Sequence, residues 1–356
     1  MHSPAKVYRL TAGQYLRRPA RRSQALALAL AMAIAIATLP LLAYSQTTVE
    51  RWRLVTSPVP EAHAVQKAIQ QQLQHNLGQP VEMYFDNALP PAALQNTDAQ
   101  PLVVLLSEFN SFATGKQPHS LQHLDNLSPL MVFFEMPWCL FAQAQSPLLA
   151  QTDVKAWMAQ QRLQRPVRIG ISARGGQSMF WLHVLSQATA TRGESSPQHN
   201  IVAAQYRGAQ NQEQVWREDA DMVLALCWQY PLLGSQVRLL ATAQKNDNPY
   251  LPKAPTFADL KLPPLAPSWF GAFMPRNTAP ALQAQAIQAL EKAATAPAVV
   301  QAIEATHQPA LRWNHVQSRK YIENYITTWQ SVMRLLQWNA ADAATAPVAT
   351  RYAQAH

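Results

Sequence analysis

Residues 51–85 follow the order strand, helix, strand. The apolar run "RWRLVT" (51–56) predicts a strand. Apolar residues at 62, 65, 69, 73 and 77 then recur at the spacing of one helix face, and Gly78 is placed to end that helix. "PVEMYF" (80–85) predicts the next strand. This unit predicts a parallel sheet with helices on its faces.

The same alternation continues along the chain. Strands are predicted at 101–107, within 130–143, and at 167–172, 200–206, 221–228 and 237–243. The run 130–143 is long and is a candidate crossing between domains, whereas 249–276, rich in proline and aromatic residues, predicts extended or irregular chain. Helices are predicted at 154–161, from Gln177, and through the C-terminal part, ending with 316–338. We therefore expect an α/β fold of two α/β domains with a ligand cleft between them.

The N-terminus has the pattern of an export signal. A basic segment ends at Arg22, an apolar stretch runs from Ala25 to Leu39, and Ala43 and Ser45 stand at the −3 and −1 positions of a cleavage site. The apolar stretch is short for a membrane span, which needs about 20 residues. We expect cleavage near Ser45 and a periplasmic protein. An uncleaved membrane anchor is the alternative, and the Sec and twin-arginine routes both stay open.

The net charge of +9 does not indicate nucleic-acid binding. Residues 1–45 hold six of the 29 basic residues and no acidic one, which leaves 23 basic against 20 acidic residues in the rest of the chain. Such a balance is no electrostatic footprint for a nucleic acid. The two cysteines, Cys139 and Cys227, lie in apolar runs. A disulfide and two buried free thiols are both compatible with that setting.

The segment "RIGISARGGQSMFW" (168–181) carries the one chemically informative loop. It has no terminal Gly-Lys-Ser/Thr of a phosphate loop, no second glycine of a G-x-S-x-G nucleophile turn and no G-x-G-x-x-G spacing. Unpaired N–H groups at a helix start attract anions, by about 0.3–1 kcal/mol at an exposed site. Glycines allow close backbone approach, and Arg174 can form a bidentate pair with a carboxylate. An anion-binding loop and an ordinary connection are the two interpretations.

The sequence offers no candidate for catalysis, for a metal or for a cofactor. The ten histidines are scattered without ligand spacing. Glu218, Asp219 and Asp221 cluster before a strand, but nothing nearby suggests an acid–base partner. We therefore expect no catalytic residues, no metal and no cofactor.

Six short segments, in order, resemble the solute-binding proteins of tripartite tricarboxylate transporters, the Bug family. "RLVTSPVPEAHAVQKAIQQQLQHNLGQPVEM" is similar to that family's opening strand, loop and helix, and "GISARGGQS" to its ligand loop. "IVAAQYRGA" and "DADM" resemble two later segments. The most specific matches are "LPKAPTFADLKLP" and "SWFGAFMPRNTAP", which resemble "lPdvPTvaEaGlp" and "sWfGlfaPagTP".

The resemblance implies a type II periplasmic-binding-protein fold that closes around a small organic carboxylate and passes it to membrane permease subunits. It implies a monomer and no nucleic-acid partner. An exported ligand-sensing receptor that signals to a partner is the alternative function. Where the family carries a proline–glycine–glycine run, this chain has Glu61 and Ala62. This loss predicts a weaker backbone grip on the first-domain side.

These arguments define domains and ligand contacts. The predicted ranges are a signal peptide over 1–45, a first domain over 46–130 and 238–338, a second over 131–237, and a flexible tail over 339–356. The predicted ligand contacts are Ser57, Ser107, Ser172, Arg174, Gly175, Gly176, Gln177, Ser178, Tyr206 and Asp221.

Overall fold

A computed structural model describes residues 49–56, 62–85, 99–107, 124, 126–161, 163–171, 176–190, 201–205, 220–233, 235, 237–243 and 248–335. The predicted signal peptide (1–45) and tail (339–356) lie outside these residues. The strands and helices, in chain order, are β1 (Trp52–Thr56), α1 (His63–Leu77), β2 (Val81–Phe85), β3 (Leu102–Ser107), β4 (Leu127–Met136), β5 (Trp138–Gln143), α2 (Val154–Gln161), β6 (Val167–Ile171), α3 (Gly176–Thr189), β7 (Ile201–Gln205), β8 (Met222–Leu226), β9 (Val237–Thr242), β10 (Ser268–Pro275), α4 (Pro280–Thr295), α5 (Pro297–Glu304) and α6 (His315–Leu335).

The first sheet has five strands in the order β2-β1-β3-β10-β4. Strands β1, β2 and β3 are parallel, which confirms the prediction from residues 51–85. Strand β10 runs antiparallel between β3 and β4. It lies within 249–276, where the sequence predicts extended or irregular chain, and residues 268–275 take the extended form. All eight residues of β10 are buried, so the strand lacks the alternation of polar and apolar residues that marks a half-exposed strand.

The second sheet has five strands in the order β7-β6-β8-β5-β9. Strands β6, β7 and β8 are parallel, and β5 runs antiparallel between β8 and β9. The predicted strands at 167–172, 200–206, 221–228 and 237–243 therefore all belong to one sheet, each within a residue or two of its predicted bounds.

The chain crosses from the first sheet to the second at Pro137, between β4 and β5. It returns after Thr242, the last residue of β9. The predicted domain boundary between residues 130 and 131 therefore lies inside β4. The predicted boundary between residues 237 and 238 lies at the start of β9. The long apolar run 130–143 hides the first boundary, because both of its halves are buried strands.

Two helix ends show how local sequence sets the elements. Gly78 ends α1 in the left-handed conformation, with φ 66°, and its N–H donates to the Gln74 carbonyl, as predicted. Helix α4 begins at Pro280, a residue that suits the first position of a helix, and Ala279 is its N-cap residue. The Thr278 hydroxyl donates to the Pro275 carbonyl.

The core contains the largest apolar side chains of both sheets. Four fully buried tryptophans are Trp52, Trp138, Trp269 and Trp329. Cys139 and Cys227 form a disulfide, which decides between the two possibilities left open by the sequence. Among the described residues, no helix combines the length and the apolar character that a membrane crossing requires.

Candidate ligand-binding edge

The carboxyl ends of the parallel strands lie at one edge of each sheet, which we call the carboxyl edge. In the first sheet, β1, β2, β3 and β4 end at this edge, where β10 begins. In the second sheet, β6, β7, β8 and β9 end at it, where β5 begins. In open α/β sheets, ligands bind outside the carboxyl ends of the strands.

Both crossings between the sheets lie at the carboxyl edges. Pro137 follows the end of β4 and precedes the start of β5. The second crossing begins beside the first, because the Ala243 N–H donates to the Trp138 carbonyl over 2.8 Å. The Cys227 N–H donates to the Pro137 carbonyl over 2.9 Å, which ties the first crossing to the end of β8. The topology therefore joins the two sheets through their carboxyl edges.

On the second-sheet side, the predicted anion loop occupies the junction between β6 and α3. Strand β6 ends at the carboxyl edge with Ile171, and α3 begins at Gly176. Gly176 and Gln177 are the first two residues of a helix of 14 residues, and Ser178 is the third and is 1% exposed. Ser172, Arg174 and Gly175 lie outside the described residues, as does Tyr206, which follows the last residue of β7.

On the first-sheet side, the structure places Ser107 at the end of β3, opposite Phe270 and 6% exposed. Ser57 lies outside the described residues but directly follows Thr56, the last residue of β1. Ala62 is the N-cap residue of α1 and provides no side-chain hydrogen bond. The chain therefore begins α1 without the capping hydroxyl or carboxylate that helix starts prefer.

A buried polar pair at this edge was not predicted. The Gln66 side-chain amide donates to the Thr56 hydroxyl over 2.9 Å, and the two residues are 0% and 1% exposed. This bond fixes the last residue of β1 against α1, immediately before Ser57. A threonine at the end of a strand and a glutamine on the apolar side of a helix were the available sequence signals.

Asp221 lies at the opposite edge of the second sheet. Its carboxylate accepts two hydrogen bonds from the Arg165 guanidinium, at 3.0 and 2.6 Å, and one from the Arg168 N–H at 2.8 Å. Asp221 precedes β8 and Arg165 precedes β6, so the pair stands at the amino ends of these parallel strands. The structure assigns Asp221 a bracing role between two strand starts, and we do not retain it as a ligand contact.

In the described part of the chain, no group of three or more His, Cys, Asp or Glu residues is arranged to hold a metal ion. Among the described residues, the pKa departs from its ordinary value at Glu82, Tyr84, Glu135 and Asp259. A hydrogen bond from the Tyr84 hydroxyl lowers the pKa of Glu82 and raises that of Tyr84, on the exposed edge strand β2. Burial raises the pKa of Glu135, near the end of β4.

Two α/β domains, each on a mixed sheet and joined at their carboxyl edges, define the class of two-domain solute-binding proteins. The model of the tripartite tricarboxylate transporter family receptor matches residues 65–337, so the chain belongs to this family. Proteins of the family are periplasmic receptors. Among curated proteins, none matches the chain.

Solved structures share the fold. A TctC solute-binding protein from Polaromonas is 12% identical, with a TM-score of 0.60, covering 80% of this chain and 98% of that one. MatC from Rhodopseudomonas palustris, with bound malate, is 19% identical, with a TM-score of 0.56, covering 79% of this chain and 98% of that one. An R. palustris protein with adipate is 16% identical, with a TM-score of 0.56, covering 81% and 98%. These similarities show the expected type of fold.

Proposed function

We propose that this protein captures a small organic carboxylate in the periplasm and delivers it to the permease subunits of a tripartite tricarboxylate transporter. The observation that carries the proposal is that β6 ends, just before the β6–α3 junction, at the same carboxyl edge at which both crossings lie. A helix start at that edge directs N–H groups and the positive end of the helix dipole toward an anion.

The proposed contacts lie on two opposed sides of a cleft. Ser57 and Ser107 belong to the first-sheet side, and Ser172, Arg174, Gly175, Gly176, Gln177, Ser178 and Tyr206 to the second. Hydroxyl and backbone N–H groups pair with carboxylate oxygens, and the arginine adds charge and bidentate geometry. The malate and adipate in two related structures are ligands of this chemical class.

The proposed role is binding and not catalysis, performed by a monomer. Export by the N-terminal signal, with cleavage near Ser45, delivers the chain to an oxidising compartment. The disulfide between Cys139 and Cys227 supports this location, because structural disulfides persist where thiols are not kept reduced.

Isothermal titration with malate and adipate, on parent protein freed of co-purified ligand by refolding, tests the proposal. We expect binding of at least one dicarboxylate, and a loss of about 1.5–3 kcal/mol in Arg174→Ala, the range for a hydrogen bond to a charged group. Arg165→Ala is the matched control, since it removes an arginine from the opposite edge of the same sheet.

Unchanged affinity in Arg174→Ala would remove that residue from the site. Native mass spectrometry of the freshly purified protein extends the test to other acids. Absence of any bound or titratable carboxylate would overturn the proposed ligand class.

A further inference from the structure

Helix α6 is anchored on the first sheet. It contacts β4, where the Val132 N–H donates to the Ser318 hydroxyl over 3.0 Å, and the His315 ring nitrogen Nδ1 lies 2.9 Å from the Leu130 carbonyl. Both bonds are formed by the first two turns of the helix. The start of α6 is therefore fixed to an edge strand of the first domain.

The later part of α6 reaches the second domain through Trp329. Its ring centroid lies 4.5 Å from that of Phe180 and 4.9 Å from that of Trp181, both on α3. Phe180, Trp181 and Trp329 are 1%, 4% and 2% exposed. Each such ring removes about 150–250 Å² of surface from water, so the cluster is a substantial apolar contact between the domains.

This contact lies close to the proposed anion loop. Helix α3 begins at Gly176, and Phe180 is one turn further along. Residues 172–175 directly precede the helix. A displacement of Phe180 and Trp181 relative to Trp329 thus moves the start of α3 relative to the first sheet.

An aromatic series continues from Trp329 toward the first carboxyl edge. The ring of Tyr325 lies 5.9 Å from Trp329 and 6.2 Å from Trp269. Trp269 is the second residue of β10, which begins at the carboxyl edge. The series connects the carboxyl edge of one sheet with the helix that starts at the carboxyl edge of the other.

The contact also has a built-in cost. The indole N–H of Trp181 is buried and has no hydrogen-bond acceptor among the described residues. A buried donor without a partner is unfavourable, and opening of the contact would return this N–H to water. Ring burial favours the contact, and an N–H without an acceptor among the described residues opposes it.

We propose that Trp329 is a latch between the domains: a positioning residue that sets the separation of the two carboxyl edges, and so the ligand affinity, without touching the ligand. Its effect on affinity rests on the proposed function. Its effect on domain separation does not, and a ligand-free measurement can test it alone.

Spin labels at Lys67→Cys on α1 and Leu163→Cys after α2 report the separation, since both positions are exposed and lie on different domains. We expect Trp329→Leu to shift or broaden the label–label distance in the ligand-free protein by more than about 2 Å, the scale of domain rearrangements. Trp329→Phe keeps a ring and should retain the parent distance.

Trp52→Leu is the matched control. Trp52 is also fully buried, but it lies in β1 and donates to the Gln79 side chain over 2.7 Å, within the first domain. We expect it to lower stability in urea without moving the label distance. Phe180→Leu, a smaller deletion on the facing helix, replaces Trp329→Leu if that variant does not fold.

A parent-like distance in Trp329→Leu, or in Phe180→Leu where that variant is used, would overturn the latch and leave Trp329 a core residue. Titration with malate and adipate forms the second arm, where Trp329→Leu should change the dissociation constant by about 5-fold or more. If the parent binds neither acid, the label distances alone decide the latch.

Discussion

Cys139 and Cys227 are joined by a disulfide beside the crossing from the first sheet to the second. Cys139 is the second residue of β5, and Cys227 directly follows β8. Both are fully buried, and their Cα atoms are 5.0 Å apart. Together with the hydrogen bond from the Cys227 N–H to the Pro137 carbonyl, the disulfide fixes the crossing to the second sheet.

Replacement of both cysteines by alanine should lower the free energy of unfolding by about 2–5 kcal/mol. The disulfide closes a long loop, since its cysteines are separated by 88 in sequence number, and so restricts the unfolded chain. Urea unfolding monitored by tryptophan fluorescence measures the loss. The reduced parent protein should match the double variant, and an unchanged unfolding midpoint in both would contradict the prediction.

Gly271→Ala should destabilise the protein by about 1–3 kcal/mol, the usual cost of overpacking. A Cβ atom at this position of β10 would stand 2.7 Å from the Met131 carbonyl oxygen of β4, and backbone has little freedom to move away. Thermal unfolding of Gly271→Ala and the parent measures the effect.

Gly78→Ala is the contrasting variant. Nothing lies within 4 Å of a Cβ at Gly78, but its φ of 66° is unfavourable for an alanine, by about 1–2 kcal/mol. The loss of stability in Gly78→Ala should come from backbone strain alone. Gly78→Asn should recover part of that stability, because asparagine tolerates this conformation. A tolerated Gly271→Ala would indicate that β10 and β4 can separate locally.

Glu135 should make stability depend on pH. Burial raises its pKa above the ordinary 4.5, although a hydrogen bond from Tyr321 acts in the other direction. The folded chain therefore binds this proton more tightly than the unfolded chain, and stability falls as pH rises from 4.5 through the folded-state pKa.

Glu135→Gln should remove this decline in stability. The difference in free energy of unfolding between variant and parent should therefore grow as pH rises from 4.5 to the folded-state pKa, and should stay constant above it. Urea unfolding from about pH 4 to about pH 8 measures this difference, because that pH range covers both ordinary and raised carboxyl pKa values. Glu323→Gln, on the exposed side of α6, is the control. A variant–parent difference that does not change with pH would contradict the prediction.

Asp221→Ala should lower stability by about 1–3 kcal/mol, mainly because the Arg168 N–H loses its acceptor. The pair with Arg165 adds only about 0.2–1 kcal/mol, since the arginine side chain is 46% exposed. Ligand affinity should not change, because the pair lies at the amino ends of the strands. Titration and thermal unfolding of the same variant separate the two effects, and a weakened affinity would return Asp221 to the site.

Much of the fold could be predicted because it depends on local patterns. The parallel start of the first sheet followed from alternation of strand and helix over 51–85, and the end of α1 from one glycine. Strand β10 could be predicted only as extended or irregular chain, because a strand buried on both faces shows no alternation and proline-rich sequence surrounds it. Pro137 lies inside the run 130–143, which the sequence marks as a candidate crossing, but its position within the run could not be predicted because two buried strands are continuous in composition.

By itself, the sequence determined the class of fold, the family and the loop that begins α3, since periodicity and short ordered motifs are local properties of the chain. Only the tertiary structure decided which edge of a sheet each residue occupies. It separated Asp221 from the anion loop and paired Cys139 with Cys227. It also brought Trp329 against α3. These contacts join residues that are distant in the chain. They are fixed by the way strands and helices pair, and no local sequence pattern encodes that pairing.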